Sequence, residues 1–175
     1  MGTKFTYALI LTISQAVFSL LMYFGGFQTE KLATGQYLNW IGLVISIVVF
    51  YLGIKAVREE RPQKDLSYGQ GVGAGFVISV LSSLMSAVYT FIHFKFINPA
   101  FFDYQAEFMK QKWAAKGMTD AQIETASTMM QKFSGPGITA FFVVIVGIVI
   151  GVVISLILAA ILKRETPAGA TPTAA

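Results

Sequence analysis

Residues 138–162 read ITAFFVVIVGIVIGVVISLILAAIL, without one Asp, Glu, Lys or Arg. A helix needs about 20 apolar residues to cross the ~30 Å hydrocarbon core of a bilayer, and this stretch exceeds that length. In hydrocarbon every backbone N–H and C=O must be satisfied within the segment, so the stretch is read as a membrane-spanning helix despite its Val, Ile and Gly content. Three more stretches meet the same test, Phe5–Phe27, Leu38–Val57 and Val72–Ile97. The predicted fold is therefore an all-α membrane protein, with residues 1–164 forming a single domain of four transmembrane helices.

Composition points the same way. Of 175 residues, 55% are hydrophobic and 13% charged, about half the charge of an ordinary soluble domain. The formal net charge of +4 is scattered. It forms no basic stripe with interleaved aromatics, so nucleic acid is not expected as a partner. There is no cysteine and a single histidine, His93. Thiol chemistry is excluded, and one histidine does not make a zinc site.

The connections differ in kind. Gln28–Tyr37 is short and nearly neutral. Arg58–Tyr68 carries Arg58, Glu59, Glu60, Arg61, Lys64 and Asp65, and Pro62 stops helix continuation. Residues 98–137 are long and patterned. Phe101, Phe102, Gln105, Phe108, Met109, Lys112 and Trp113 fall near helical spacing, Gly117 ends that run, and Thr119 to Gln122 reads as a capping box. Ile123, Ala126, Met130 and Phe133 form a second stripe before Gly135-Pro136-Gly137. The expectation is an amphipathic helical hairpin, Ala100–Lys116 and Asp120–Lys132, lying on the extracytoplasmic surface. Residues 165–175, rich in Thr, Pro, Ala and Gly, are expected to be a disordered tail.

Lys4 before an apolar run resembles the start of a signal peptide. The run continues through Phe24 with no A-x-A site, so a retained first helix is expected. The loose myristoylation pattern at Gly2 is read as chance. Orientation follows from Lys and Arg. With both termini inside, the inner side holds Lys4, Lys55, Arg58, Arg61, Lys64, Lys163 and Arg164, including every arginine. The outer side holds only lysines, spread over longer loops, so the positive-inside rule favours N-in and C-in.

No catalytic, cofactor-binding or metal-binding residue is assigned. Ionisable residues at membrane depth mark ion pathways and proton relays. The spans have none between their flanks, which argues against an ion-coupled transporter working as a monomer. His93 shares a helix face with Tyr89, four residues before it, and the pair is within hydrogen-bonding reach. It is read as an interfacial aromatic residue of the headgroup belt rather than a pH sensor. The run Tyr68 to Gly75 imitates a nucleotide loop, but Ala74 stands where the third glycine belongs and no strand precedes it. Gly71, Gly75 and Ser79, and Gly147, Gly151, Ser155 and Ala159, recur at spacing four. Such rows let helix backbones approach closely, so they are read as packing surfaces.

Several short blocks carry a resemblance: Gly53-Ile54-Lys55, Leu66-Ser67-Tyr68-Gly69, Ile78-Ser79 with Ser82, Asn98-Pro99 with Phe102 and Tyr104, Lys116-Gly117-Met118-Thr119, and Ile154-Ser155-Leu156-Ile157 before Ala159-Ala160-Ile161-Leu162-Lys163-Arg164. In order and spacing, from about Phe5 to Arg164, they resemble the DUF4199 family of small bacterial four-helix membrane proteins of unknown function. The resemblance implies a bacterial inner (cytoplasmic) membrane and transfers no site residue. The expected function is a non-enzymatic interaction or accessory protein in the lipid bilayer, contacting a membrane-protein partner or a second copy, without a cofactor. The alternative is a subunit of a small oligomeric channel or transporter.

Overall fold

The computed structural model describes residues 2–164, and the expected tail at 165–175 lies outside them. Six α-helices follow one another: α1 (Thr3–Phe24), α2 (Leu32–Glu59), α3 (Tyr68–Ile92), α4 (Phe101–Ala115), α5 (Asp120–Lys132) and α6 (Pro136–Leu162). Helix α3 continues as a π-helical turn over His93–Ile97. With that turn counted in α3, four helices (α1, α2, α3 and α6) are long and apolar enough to cross a membrane.

The helix ends differ from the sequence reading in informative ways. Helix α1 stops at Phe24 because Gly25 and Gly26 turn the chain, Gly26 at φ +78°. Helix α2 starts at Leu32 and not at Leu38, so most of the expected first loop is helical. Gly35 allows this, since a Cβ there would collide with the Phe27 carbonyl. Helix α3 starts at Tyr68, four residues early. Its first turn is held by a Ser67/Gln70 capping box: Ser67 Oγ accepts from the Gln70 N–H at 3.3 Å, and Gln70 Oε1 accepts from the Ser67 N–H at 2.9 Å.

The bundle's exterior is apolar. Leu21, Val44, Val88, Val149 and Ile157 are each more than half exposed, as hydrocarbon-facing side chains should be. The interior is unusually rich in small polar groups, with Ser79, Ser82 and Ser155 almost fully buried. Helix α3 packs against α1, α2 and α6. Its antiparallel contact with α6 is a ladder. Gly71 faces Ala159, Gly75 faces Ser155, Gly151 faces Ser79 and Gly147 faces Ser83. At each level a glycine meets Ala or Ser, so the backbones approach closely. Lipid tails are as apolar as Leu, so this close van der Waals fit, and not hydrophobicity, holds the helices together.

The two ends of the bundle are unlike. At the end carrying the Arg58–Tyr68 loop, Ala8, Leu11, Phe50, Ile54, Leu66, Ile78, Ile154 and Leu158 form a closed hydrophobic core. Leu66, fully buried, forms an isolated antiparallel bridge with Arg164: each N–H donates to the other's carbonyl, at 2.8 and 2.9 Å. Arg58 donates to the Leu162 carbonyl at 3.4 Å, placing a cation at the C-terminus of α6, where the helix dipole favours it. At the opposite end α4 and α5 form a hairpin. Phe101 stacks on Phe94 with ring centroids 4.5 Å apart, and Phe102 tilts against the same ring. Phe101, Phe102, Phe108 and Trp113 are half-buried on one face of α4, whereas Met129 and Phe133 of the α5 segment are exposed.

Gly117 turns α4 into α5 at φ +80°, with nothing close to where a Cβ would be. Gly117→Ala should therefore act through backbone strain alone, at about 1–2 kcal/mol. The expected result is faster amide exchange across residues 101–132 with the melting temperature of the spans unchanged. Unaltered exchange would mean that the hairpin does not depend on this turn.

Candidate functional site

Toward the hairpin end the four long helices splay and leave a crevice of about 610 Å³. Its floor is Leu11, Phe50, Gly151 and Ile154, the top of the closed core. Helix α1 contributes Gln15, Phe18, Ser19 and Met22, and Gln28 folds back beyond the Gly25–Gly26 turn. Helix α2 supplies Asn39, Gly42, Leu43 and Ser46, α3 supplies Ser82, Ser83 and Ser86, and α6 supplies Thr139, Phe142, Val143, Val146 and Gly147. No Asp, Glu, Lys or Arg lines it. The crevice begins where the α3–α6 ladder ends. One level beyond Ser83 and Gly147 the register reaches Ala87 and Val143, where no glycine remains to keep the backbones close.

Two polar networks fix the walls. In the first, Gln15 Nε2 donates to the Gly42 carbonyl at 2.7 Å and to Ser46 Oγ at 2.9 Å, and Ser46 Oγ donates to the same carbonyl at 3.0 Å. Gly42 is small because Gln15 and Phe18 lie against it: a Cβ there would sit 3.2 Å from Gln15 Oε1. An amide in hydrocarbon must find partners, so this knot pins α1 to α2.

The second network centres on Gln28. Its Nε2 donates to Ser19 Oγ and to the Ser19 carbonyl, both at 3.1 Å. Its Oε1 accepts from Asn98 Nδ2 at 3.3 Å and lies 2.8 Å from His93 Nε2. His93 Nδ1 lies 3.1 Å from the Tyr89 hydroxyl, which is also 3.1 Å from the Ala16 carbonyl. An imidazole with its proton on Nε2 donates to Gln28, and the single Tyr89 hydroxyl proton then lies between two acceptors, His93 Nδ1 and the Ala16 carbonyl. The Tyr89–His93 contact expected from their spacing is present. The interfacial placement of His93 is not, because the side chain is fully buried. The cause is the π-helical turn, in which the Asn98 N–H donates to the His93 carbonyl at 2.7 Å, while Gln28 reaches in from the turn that follows α1. Turns of this kind inside α-helices are frequent at functional sites.

The described residues contain no group of three or more His, Cys, Asp or Glu side chains able to hold a metal ion. The glycine-rich run at Gly69–Gly75 forms the opening turns of α3, and Gly71 and Gly75 are spent on packing. The site that does exist was missed by sequence reasoning. Its nearest signal was Gln15, an amide in the middle of an apolar run.

The fold and the uncharged intramembrane crevice define an integral membrane protein built on four apolar helices. The chain belongs to the DUF4199 family, described as "Protein of unknown function (DUF4199)", whose family model matches residues 6–164. No curated protein and no solved structure matches the chain.

Proposed function

We propose that the protein is a non-enzymatic accessory or interaction protein of the bacterial inner membrane. The observation that carries this reading is the asymmetry of the bundle. Phe50, Ile54, Ile78, Ile154 and Leu158 seal one end, so a single chain offers a blind crevice and not a passage. Such a shape holds or contacts something, whereas conduction needs a continuous path. The exposed Met129 and Phe133 give the hairpin an apolar contact outside the bundle. The second reading, a subunit of an oligomeric channel or transporter, draws on the polar lining of the crevice. It requires further copies to complete a path.

A photo-crosslinking amino acid at Met129 in living cells, followed by identification of the adducts, tests the first reading. One defined membrane protein recovered as the main adduct is the expected result. Solute flux through vesicles holding only this chain would overturn it in favour of the second.

The proposed orientation has both termini and the Arg58–Tyr68 loop in the cytoplasm and the hairpin outside. The chain lacks cysteine, so single introduced thiols report cleanly. A cysteine at Gln63 is expected to resist a membrane-impermeant maleimide in spheroplasts, and one at Lys116 to react. The reverse pattern would invert the topology.

A further inference from the structure

We propose that His93 is a proton-binding site, and that a proton taken up there ties α3 to α1 and stiffens the wall of the crevice. The hydrogens of the Gln28 network decide it. In the neutral imidazole with its proton on Nε2, Tyr89 has one hydroxyl proton for two acceptors at equal distance, His93 Nδ1 and the Ala16 carbonyl, each at 3.1 Å. One of those contacts goes unmade. The other neutral tautomer frees Tyr89 to donate to Ala16, but it turns a bare Nε2 toward Gln28 Oε1, two acceptors 2.8 Å apart. Flipping the Gln28 amide does not cure this. Its oxygen would then face the Ser19 carbonyl at 3.1 Å, and its NH2 would face Asn98 Nδ2 at 3.3 Å. Imidazolium satisfies every partner. Nε2–H donates to Gln28, Nδ1–H donates to the Tyr89 oxygen, and Tyr89 O–H donates to Ala16.

The surroundings hold no fixed charge to bias the site. Tyr23 of α1 and Phe94 of the π-helical turn stand at right angles to the imidazole, with ring centroids 5.9 and 5.1 Å away. Of the groups that face His93, only Tyr23 and Tyr89 are titratable, and among the described residues His93 makes no ion pair. Lys31 lies over the Phe27 ring, Lys95 lies over Phe91 and Phe96, and Glu30 is exposed. Carrying a charge into this site costs solvation. Two charge-assisted hydrogen bonds, each roughly twice as strong as a neutral one, oppose that cost.

The effect of the proton falls on the crevice. Ser19 and Gln28 belong to its lining and to the His93 network alike. The Ala16 carbonyl that Tyr89 then holds follows Gln15, whose amide already ties α1 to α2. In the protonated form α1 is gripped at successive residues by α2 and by α3. In the neutral form the second grip competes with His93 for a single hydrogen.

The chain has a single histidine, so nitrogen NMR of the full chain in nanodiscs, with isotope-labelled histidine, reads this imidazole alone. The titration runs from about pH 8 to about pH 5, where histidine changes charge. The spectrum is expected to pass from one protonated ring nitrogen to two, with one midpoint. Amide protection over residues 89–98, corrected for the intrinsic pH dependence of exchange, should rise roughly three- to tenfold through the same midpoint, the worth of one hydrogen bond. Tyr89→Phe keeps the ring, removes the relaying hydroxyl and should abolish that rise. An imidazole in the unaltered chain that stays neutral down to about pH 5 would overturn the proposal. So would proton uptake without a rise in protection, or a rise that survives Tyr89→Phe.

Discussion

Gly151→Leu is expected to separate α3 from α6 and to give a large loss of stability. A Cβ at Gly151 would overlap Ser79 and come within 2.9 Å of Phe50 Cζ. Ser79 is fully buried with its hydroxyl tied to the Phe76 carbonyl, so it has nowhere to swing. Overpacking typically costs about 1–3 kcal/mol and occasionally more. Because the obstructing atom sits next to a helix backbone, the upper end of that range applies. The matched control is Val149→Leu. Val149 is 58% exposed on the lipid side of the same helix, so added volume there meets only lipid. Thermal unfolding in detergent, followed by the fluorescence of Trp40 and Trp113, should show a clear drop for Gly151→Leu and none for Val149→Leu. Equal melting temperatures for the two variants would mean that the ladder does not hold the bundle.

The second large effect is expected from Gln28→Leu. Gln28 Oε1 serves two buried groups at once, His93 at 0% exposure and Asn98 at 2%. Leucine keeps most of the volume and removes the acceptor, leaving two buried donors unpaired. Each orphaned group costs about 1–3 kcal/mol. Ser19 also loses its partner, but its hydroxyl can turn to a carbonyl of its own helix. The damage should stay local. Amide exchange over residues 89–98 and the start of α4 should accelerate, while the core around Ile54 and Ile78 keeps its protection. Fast exchange in both regions, or in neither, would refute the view that Gln28 organises only the hairpin end.

The four spans and the small-residue rows were legible because they depend on local composition and period. The pairing of Gly147, Gly151, Ser155 and Ala159 with α3 could be anticipated, since both rows repeat every four residues and the connecting hairpin lets the helices run antiparallel. The early start of α2 was not legible. Leu32 to Tyr37 contains Thr34 and Gly35, weak helix formers that read as a loop in water. Only the contact between Gly35 and the Phe27 backbone shows why the helix begins there. The crevice was hidden for a different reason. Attention to ionised residues passed over Gln15 and Gln28, although an amide in hydrocarbon demands partners almost as strictly. Even with both singled out, sequence spacing does not say that Gln15 meets Ser46 or that Gln28 meets His93. Those pairs are set by which helices adjoin.

The bridge between Leu66 and Arg164 has a consequence for how the chain is made. About 100 residues separate its two ends, which at ribosomal speeds of 5–20 residues per second means a wait of roughly 5–20 s. For most of that interval α3, complete at Ile92, is already synthesised, yet the helix that fits its serine and glycine face is not finished until Leu162. The nascent chain must shelter that face against α1 and α2 alone, or against the insertion machinery. The final residues of α6 then act as a latch, completing the ladder and the bridge together. A ribosome stalled shortly before Arg164 would hold a three-span intermediate with its most adhesive surface uncovered.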